Sequence, residues 1–214
     1  MSNLPDYDAF EGFGVFSGYV QIPSSSKKIH YLFVQSAQDP VNDPLILWTN
    51  GGPGCSSMLG FMQEHGPLKW EDGAKGMIKN DYSWNREANV LYVEQPAGVG
   101  YSTCGNSDEC HFDDNNVAED NLQVVLEWFK KFPEYQDNEF YLSGESYAGI
   151  YVPYLLNQIN SFNKQHVSDP DVFKPNLKGM IVGNGVTNWQ FDCQPSFMEM
   201  GFYHSLIDEA RYQR

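Results

Sequence analysis

Apolar and polar positions along the 214 residues follow two rhythms. Short β-rich runs occupy Val15–Ile22 and Ile29–Val34, separated by the turn-forming segment Pro23–Lys28, so the pair reads as an antiparallel hairpin. Leu45–Trp48 is a continuous apolar run bounded by turn residues, as expected of a strand buried on both faces, and Asn89–Val93 reads as another buried strand. Two further runs, one opening at Phe140-Tyr141-Leu142 and the other Leu177–Gly183, complete the strand set. Between them the period changes to 3.6. From about Asn116 to Phe132, residues Val117, Leu122, Val124, Val125, Leu126, Trp128, Phe129 and Phe132 share half of a helical wheel. Glu119, Asp120, Gln123, Glu127, Lys130 and Lys131 take the other half, Asp113 to Asn116 supply the cap, and Pro133 ends the helix. Strands alternating with helices predict a mainly parallel sheet with right-handed crossovers, an α/β class fold with an antiparallel hairpin at its N-terminal side. No repeat, low-complexity segment or interior linker breaks residues 1–214, which read as one domain.

The remaining stretches read as follows. Residues 1–14 are polar and Gly-rich and are expected to wrap the surface. Met58 to Glu64 reads as a helix capped by Ser56 or Ser57 and ended by Gly66 and Pro67. Trp70 to Glu87 is polar and turn-rich, Asn163 to Pro175 reads as a loop, and Met200 to Arg214 as a loop with an incipient helix. Gly98-Val99-Gly100 lacks the third glycine and following helix of a dinucleotide loop, so no such cofactor is expected.

Two loops at strand ends carry candidate chemistry. Phe140-Tyr141-Leu142-Ser143-Gly144-Glu145-Ser146 runs straight into Tyr147-Ala148-Gly149-Ile150, which opens a helix. A serine on a sharp strand-to-helix turn is the nucleophile elbow of an α/β-hydrolase, where the residues two before and two after must be small. Here they are Gly144 and Ala148. Read alone, the same string fits an ordinary βα turn with a solvated serine. The second loop, Asn50-Gly51-Gly52-Pro53-Gly54, follows the Leu45–Trp48 strand, where such a fold draws its second oxyanion N–H, the first coming from Tyr147. Agreement between these independent segments favours the elbow.

Composition narrows the partners. Thirteen Lys and Arg against 28 Asp and Glu give a formal charge of -15, which repels nucleic acid and anionic membranes. No apolar run approaches the roughly 18 residues of a membrane span, and Met1–Asp6 lacks the basic and apolar regions of a signal peptide. Cys55, Cys104, Cys110 and Cys193 do not have metal-site spacing, and no metal is expected. Cys104 and Cys110 flank a polar loop and can close a small disulfide; Cys55 and Cys193 can pair together, pair outside the chain or stay reduced.

Three strings then make a close resemblance: Trp48-Thr49-Asn50-Gly51-Gly52-Pro53-Gly54-Cys55-Ser56-Ser57, Gln95-Pro96-Ala97-Gly98-Val99-Gly100-Tyr101-Ser102, and Gly144-Glu145-Ser146-Tyr147-Ala148-Gly149. Together they resemble the signatures of the serine carboxypeptidases. That resemblance implies an α/β-hydrolase without a cofactor that releases C-terminal residues of peptides through an acyl-enzyme on Ser146. It implies an oxyanion hole at the Gly52 and Tyr147 N–H groups. It also implies a site for the substrate carboxylate at Asn50, the Gly51 backbone, Glu64 and Glu145, supported by Trp48. Read alone, Glu64 fits equally a solvated residue at a helix end. A carboxylate beside two glutamates needs protons held between them, which predicts raised glutamate pKa values and an acidic optimum.

A triad in the order Ser, Asp, His requires a base, and after Ser146 only His166 and His204 remain, neither matching the family's histidine. The resemblance therefore covers the N-terminal half of the family's fold, ending where its helical insertion begins. The histidine, the aspartate and the family partner of Cys55 are expected in a second half or a second chain, and the isolated chain is expected to be inactive. The family further implies a lysosomal, vacuolar or secreted location. Acyl transfer to an alcohol, and a non-catalytic fragment that only binds or protects a partner, are the competing readings.

Overall fold

A computed structural model describes residues 12–70, 73 and 75–213; the surface wrapping expected of residues 1–14 falls, for residues 1–11, outside them. The strands are β1 (Val15–Gln21), β2 (Lys27–Val34), β3 (Leu45–Thr49), β4 (Leu68–Lys69), β5 (Ile78–Lys79), β6 (Asn89–Val93), β7 (Thr103–Cys104), β8 (Phe140–Glu145) and β9 (Leu177–Gly183). The helices are α1 (Asp114–Lys131), α2 (Ala148–Gln165), α3 (Gln194–Tyr203) and α4 (Glu209–Tyr212). The main sheet runs β1-β2-β6-β3-β8-β9, with β7 paired to β2. β1 and β2 form the expected hairpin, β2 meets β6 antiparallel, and β6, β3, β8 and β9 run parallel.

The period-2 alternation of each strand divides its side chains between two cores. Tyr31, Phe33, Leu45, Leu47, Leu91, Val93, Phe140 and Leu142 face one side, where α1 and α2 cover them. Leu32, Val34, Trp48, Val90 and Tyr92 face the other, under Phe61, Met58 and Trp84. This is why Leu45–Trp48 of β3 reads as an unbroken apolar run and β6 as a buried strand. Phe33, Phe129 and Phe140 are fully buried, each stabilising the fold by roughly 1.5–3 kcal/mol. α1 starts on a reciprocal cap: Asp113 accepts from the Asn115 and Asn116 N–H groups at 2.8 and 2.9 Å, and the Asn116 side chain accepts from the Asp113 N–H.

Register aligns the ends of the parallel strands. Thr49 lies beside Gly144, and Glu145 beside Gly183, so the loops that follow β3, β8 and β9 meet at one edge of the sheet. Ligand sites of open α/β sheets form there.

Several boundaries differ from the sequence reading. The helix expected over Met58–Glu64 widens into a π-type turn over Gly60–Glu64, because the Gly60 N–H is given to the Asn50 side chain and the His65 N–H closes back on Gly60. β5, inside the stretch read as turn-rich, pairs with β4 just before it; two-residue strands leave no periodicity to detect. α2 extends to Gln165, three residues into the expected loop. Near the C-terminus, α3 begins at Gln194, ahead of the loop expected from Met200, and α4 is capped by Asp208, which accepts from the Arg211 N–H at 2.9 Å.

Candidate active site

Ser146 sits between the end of β8 and the start of α2 with φ of +58°, a left-handed conformation that costs a serine about 1–3 kcal/mol. The neighbours over-determine it. The Ser146 N–H donates to the Gly183 carbonyl at 3.0 Å, and the Val186 N–H donates to the Ser146 carbonyl at 2.9 Å. Gly144 packs against the Thr49 carbonyl, and a side chain there would meet the Ala148 methyl at 2.5 Å. Both flanking positions are small because they touch each other across the turn.

The Gly-rich loop after β3 lies directly on this elbow. A side-chain carbon on Gly51 would strike the Tyr147 N–H and stand 2.7 Å from the Glu145 carbonyl. Gly52 has φ of +110°, open to glycine and strained for other residues. Neither the Gly52 nor the Tyr147 N–H donates to an acceptor among the described residues. Two unsatisfied donors thus lie on adjoining backbone beside Ser146.

Asn50 joins the loop to the acidic residues. Its carbonyl oxygen accepts from Trp48 Nε1 at 2.8 Å and from the Gly60 N–H at 3.0 Å. Because two donors fix the oxygen, the amide nitrogen must face the other way. It donates to Glu64 Oε1 at 3.1 Å and to Glu145 Oε1 at 3.0 Å. Asn50 is fully buried, and one amide gathers two carboxyl groups next to the elbow. Glu64 as a whole is exposed, but its carboxyl end is drawn toward Asn50. Loss of water there raises its pKa; the Asn50 bond works against this, and the charge of Glu145 adds to it.

Aromatic rings brace this group from behind. His65, buried and held between Trp48 and Trp84 at ring distances of 4.2 and 4.1 Å, has its pKa lowered to about 4 by burial and remains neutral above that. On the opposite wall the Tyr147 hydroxyl donates to Asp114 at 2.9 Å, and its ring meets Tyr151 at 5.0 Å.

The serine carboxypeptidase family model matches residues 5–214. The chain belongs to this family. It is 42% identical to the lysosomal protective protein of Mus musculus over 95% of its own length and 40% of that protein's. It is 43% identical to serine carboxypeptidase-like 21 of Arabidopsis thaliana, with coverages of 90% and 39%. The crystal structure of KEX1(delta)P, a prohormone-processing carboxypeptidase from Saccharomyces cerevisiae, superimposes with a TM-score of 0.75 at 31% identity. That match covers 94% of this chain and 44% of the yeast one. The chain spans less than half the length of these relatives, and its fold is that of an α/β-hydrolase.

No described histidine of this family member hydrogen-bonds to Ser146. His30 is tied to Ser17 and Glu94, His65 to Tyr92, His166 to the Phe162 carbonyl, and His204 to the Met200 carbonyl. His111 is exposed and precedes α1. Among the cysteines, Cys104 and Cys110 form a disulfide, while Cys55 and Cys193 are free, the former exposed on the Gly-rich loop. No group of acidic, histidine and cysteine residues that could hold a metal occurs among the described residues.

Sequence reasoning passed over the residues under the loop. Glu94 is completely buried, and both Ser56 and His30 bond to it; Gln95 donates to Thr49 Oγ1 at 2.7 Å and accepts from Asn121 at 3.2 Å. One signal was present, a carboxylate and an amide directly after the apolar run Val90–Val93.

Proposed function

We propose that this chain supplies the nucleophile and the substrate-recognition end of a serine-type carboxypeptidase acting on peptide C-termini at acidic pH. The observation that carries this reading is the buried Asn50 amide holding Glu64 and Glu145 together beside the elbow of Ser146. A peptide carboxylate entering there adds a third negative group, which the site accepts when a proton is retained on Glu64. The raised pKa of Glu64 favours that proton.

The chemistry follows from the geometry. Ser146 Oγ attacks the last peptide carbonyl, and its proton passes to a base. Negative charge develops on the carbonyl oxygen, which the Gly52 and Tyr147 N–H groups stabilise. The carbon–nitrogen bond then breaks, the leaving amine takes the proton, and water releases the acyl group from Ser146. The histidine base and its aspartate come from residues outside these 214, on the same or a second chain. The exposed β9 edge, with Met180 and Ile181 49% and 46% exposed, and the exposed Phe197, Met200 and Tyr203 of α3 offer a surface for such residues to pack on. No helix among the described residues is long and apolar enough to cross a membrane. The lysosomal name of the mouse relative supports a lysosomal, vacuolar or secreted location.

The test is release of the C-terminal residue from a blocked dipeptide at pH 5. The natural protein should release it, Ser146→Ala should not, and residues 1–214 alone should be inactive. Turnover by the isolated 214 residues would refute the need for an outside base. With an alcohol and an ester donor present, a new ester in place of free acid would identify an acyltransferase.

A further inference from the structure

The crest of the Gly-rich loop, Gly52 to Cys55, is exposed and buries no side chain. Packing therefore cannot hold the Gly52 N–H in place; polar ties must, and apart from the Gly54 N–H, which donates to the Tyr151 hydroxyl, they lie at the foot of the loop. One foot is Ser57, whose hydroxyl donates to the Val93 carbonyl at 2.6 Å and accepts from the Asn50 N–H at 3.2 Å. The other is Ser56. Its hydroxyl donates to Glu94 and accepts from the Met58 N–H at 3.2 Å. The Cys55 N–H closes the turn between them on the Gly51 carbonyl at 3.0 Å.

Glu94 is built to be immobile. It is fully buried, and its other carboxyl oxygen accepts from His30 Nδ1 at 2.9 Å and from the Tyr101 N–H at 2.8 Å. The His30 ring meets Tyr19 and Tyr101 edge-on at 5.4 and 5.2 Å, and its Nε2 bonds Ser17 at 2.8 Å. The carboxylate fits because Gly100 has no side chain: a carbon there would overlap it. The Ser102 hydroxyl donates to the Glu94 backbone carbonyl at 2.5 Å and accepts from the His30 N–H at 2.8 Å. A charge removed from water this completely needs all of these partners, and losing one leaves it uncompensated.

We propose that Glu94 is a positioning residue: through Ser56 it sets where the Gly52 N–H stands relative to Tyr147 and Ser146. The inference rests on the oxyanion role proposed for Gly52. Glu94 touches neither substrate nor Ser146, so its effect falls on the rate of the chemical step and leaves recognition by Asn50, Glu64 and Glu145 unchanged. The relay is Tyr101 and His30 to Glu94, Glu94 to Ser56, and Ser56 to the loop. A brace that served stability alone would lower the melting temperature without separating kcat from KM.

The experiment compares Glu94→Gln, Ser56→Ala and the double variant in the natural protein carrying this chain, on a blocked dipeptide at pH 5. Glu94→Gln puts an amide group where the carboxylate accepted from several donors, and Ser56→Ala removes the link while leaving the His30 pair intact. Each single variant should lower kcat about tenfold with KM within about twofold, a loss in keeping with a small displacement of one oxyanion donor. The double variant should be no worse than the weaker single, because both cut the same relay. A folded Ser56→Ala protein with unchanged kcat would overturn the proposal even where Glu94→Gln does not fold. Losses that multiply in the double variant, or a kcat and KM that change together, would overturn it as well. Ser146→Ala, run in parallel, separates the two readings. Turnover surviving in that variant refutes the catalytic reading and the Glu94 role with it, whereas its loss beside unaffected Ser56→Ala refutes the Glu94 role alone.

Discussion

Asn50 and Ser146 lie at the ends of neighbouring parallel strands and are equipped in opposite ways. Every polar atom of the Asn50 side chain has a partner from this chain: two donors to its oxygen and two carboxyl acceptors for its nitrogen. The Ser146 backbone is equally well tied, yet no described residue accepts from or donates to its hydroxyl. The Asn50 amide is thus fully paired within these residues, while the Ser146 hydroxyl has no partner among those described. Buried hydrogen-bonding groups must be satisfied for the fold to persist, whereas a half-exposed nucleophile can wait for a partner.

The sharpest way to break the contrast is Ser146→Ala in the natural protein. Steady-state kinetics should show kcat falling by about 10⁶-fold, with equilibrium binding of a peptide C-terminus unchanged. Gly51→Ala attacks the seam between the two regions. Its methyl group would collide with the Tyr147 backbone. Displacing that donor should lower kcat about 100-fold, and thermal melts should show a loss of about 1–3 kcal/mol from overpacking. Asn50→Ala is the converse test. It strands the Trp48 and Gly60 donors and frees both carboxyl groups, so KM should rise more than kcat falls, with about 2–4 kcal/mol lost in denaturant titration.

The smallest effect concerns pH. Glu64 has a raised pKa in the folded protein, so it keeps its proton to higher pH than in the unfolded chain. Its favourable contribution is present below the ordinary carboxyl range and is lost as pH rises through the raised value. KM should follow the same course, low in acid and climbing across that window. In Glu64→Gln the climb should flatten, which a KM-against-pH series will show.

Much of this was readable beforehand where local rules and packing agree. β3, β6 and β9 announced themselves because each is bounded by turn residues, and Gly144 and Ala148 marked a candidate elbow that the Gly-rich loop Asn50–Gly54 then favoured over an ordinary turn. α1 was legible from its apolar face, although its capping residue fixed the start two positions before the expected Asn116. The π-type turn at Gly60 was hidden because its cause is a tertiary bond to Asn50. Glu94 was hidden for the same reason: its partners His30, Ser56 and Tyr101 come from three separate segments. The base proposed for Ser146 was not legible because the bonded histidines of these residues are tied to other partners.

The central claim is that Ser146 forms the acyl-enzyme. The natural protein, mixed with a slowly deacylating ester at pH 5 and quenched in acid, can be digested and its peptides weighed. The account predicts one acyl group, on the peptide containing Ser146, absent from Ser146→Ala. An acyl group on another residue, or continued turnover with none trapped on Ser146, would contradict it.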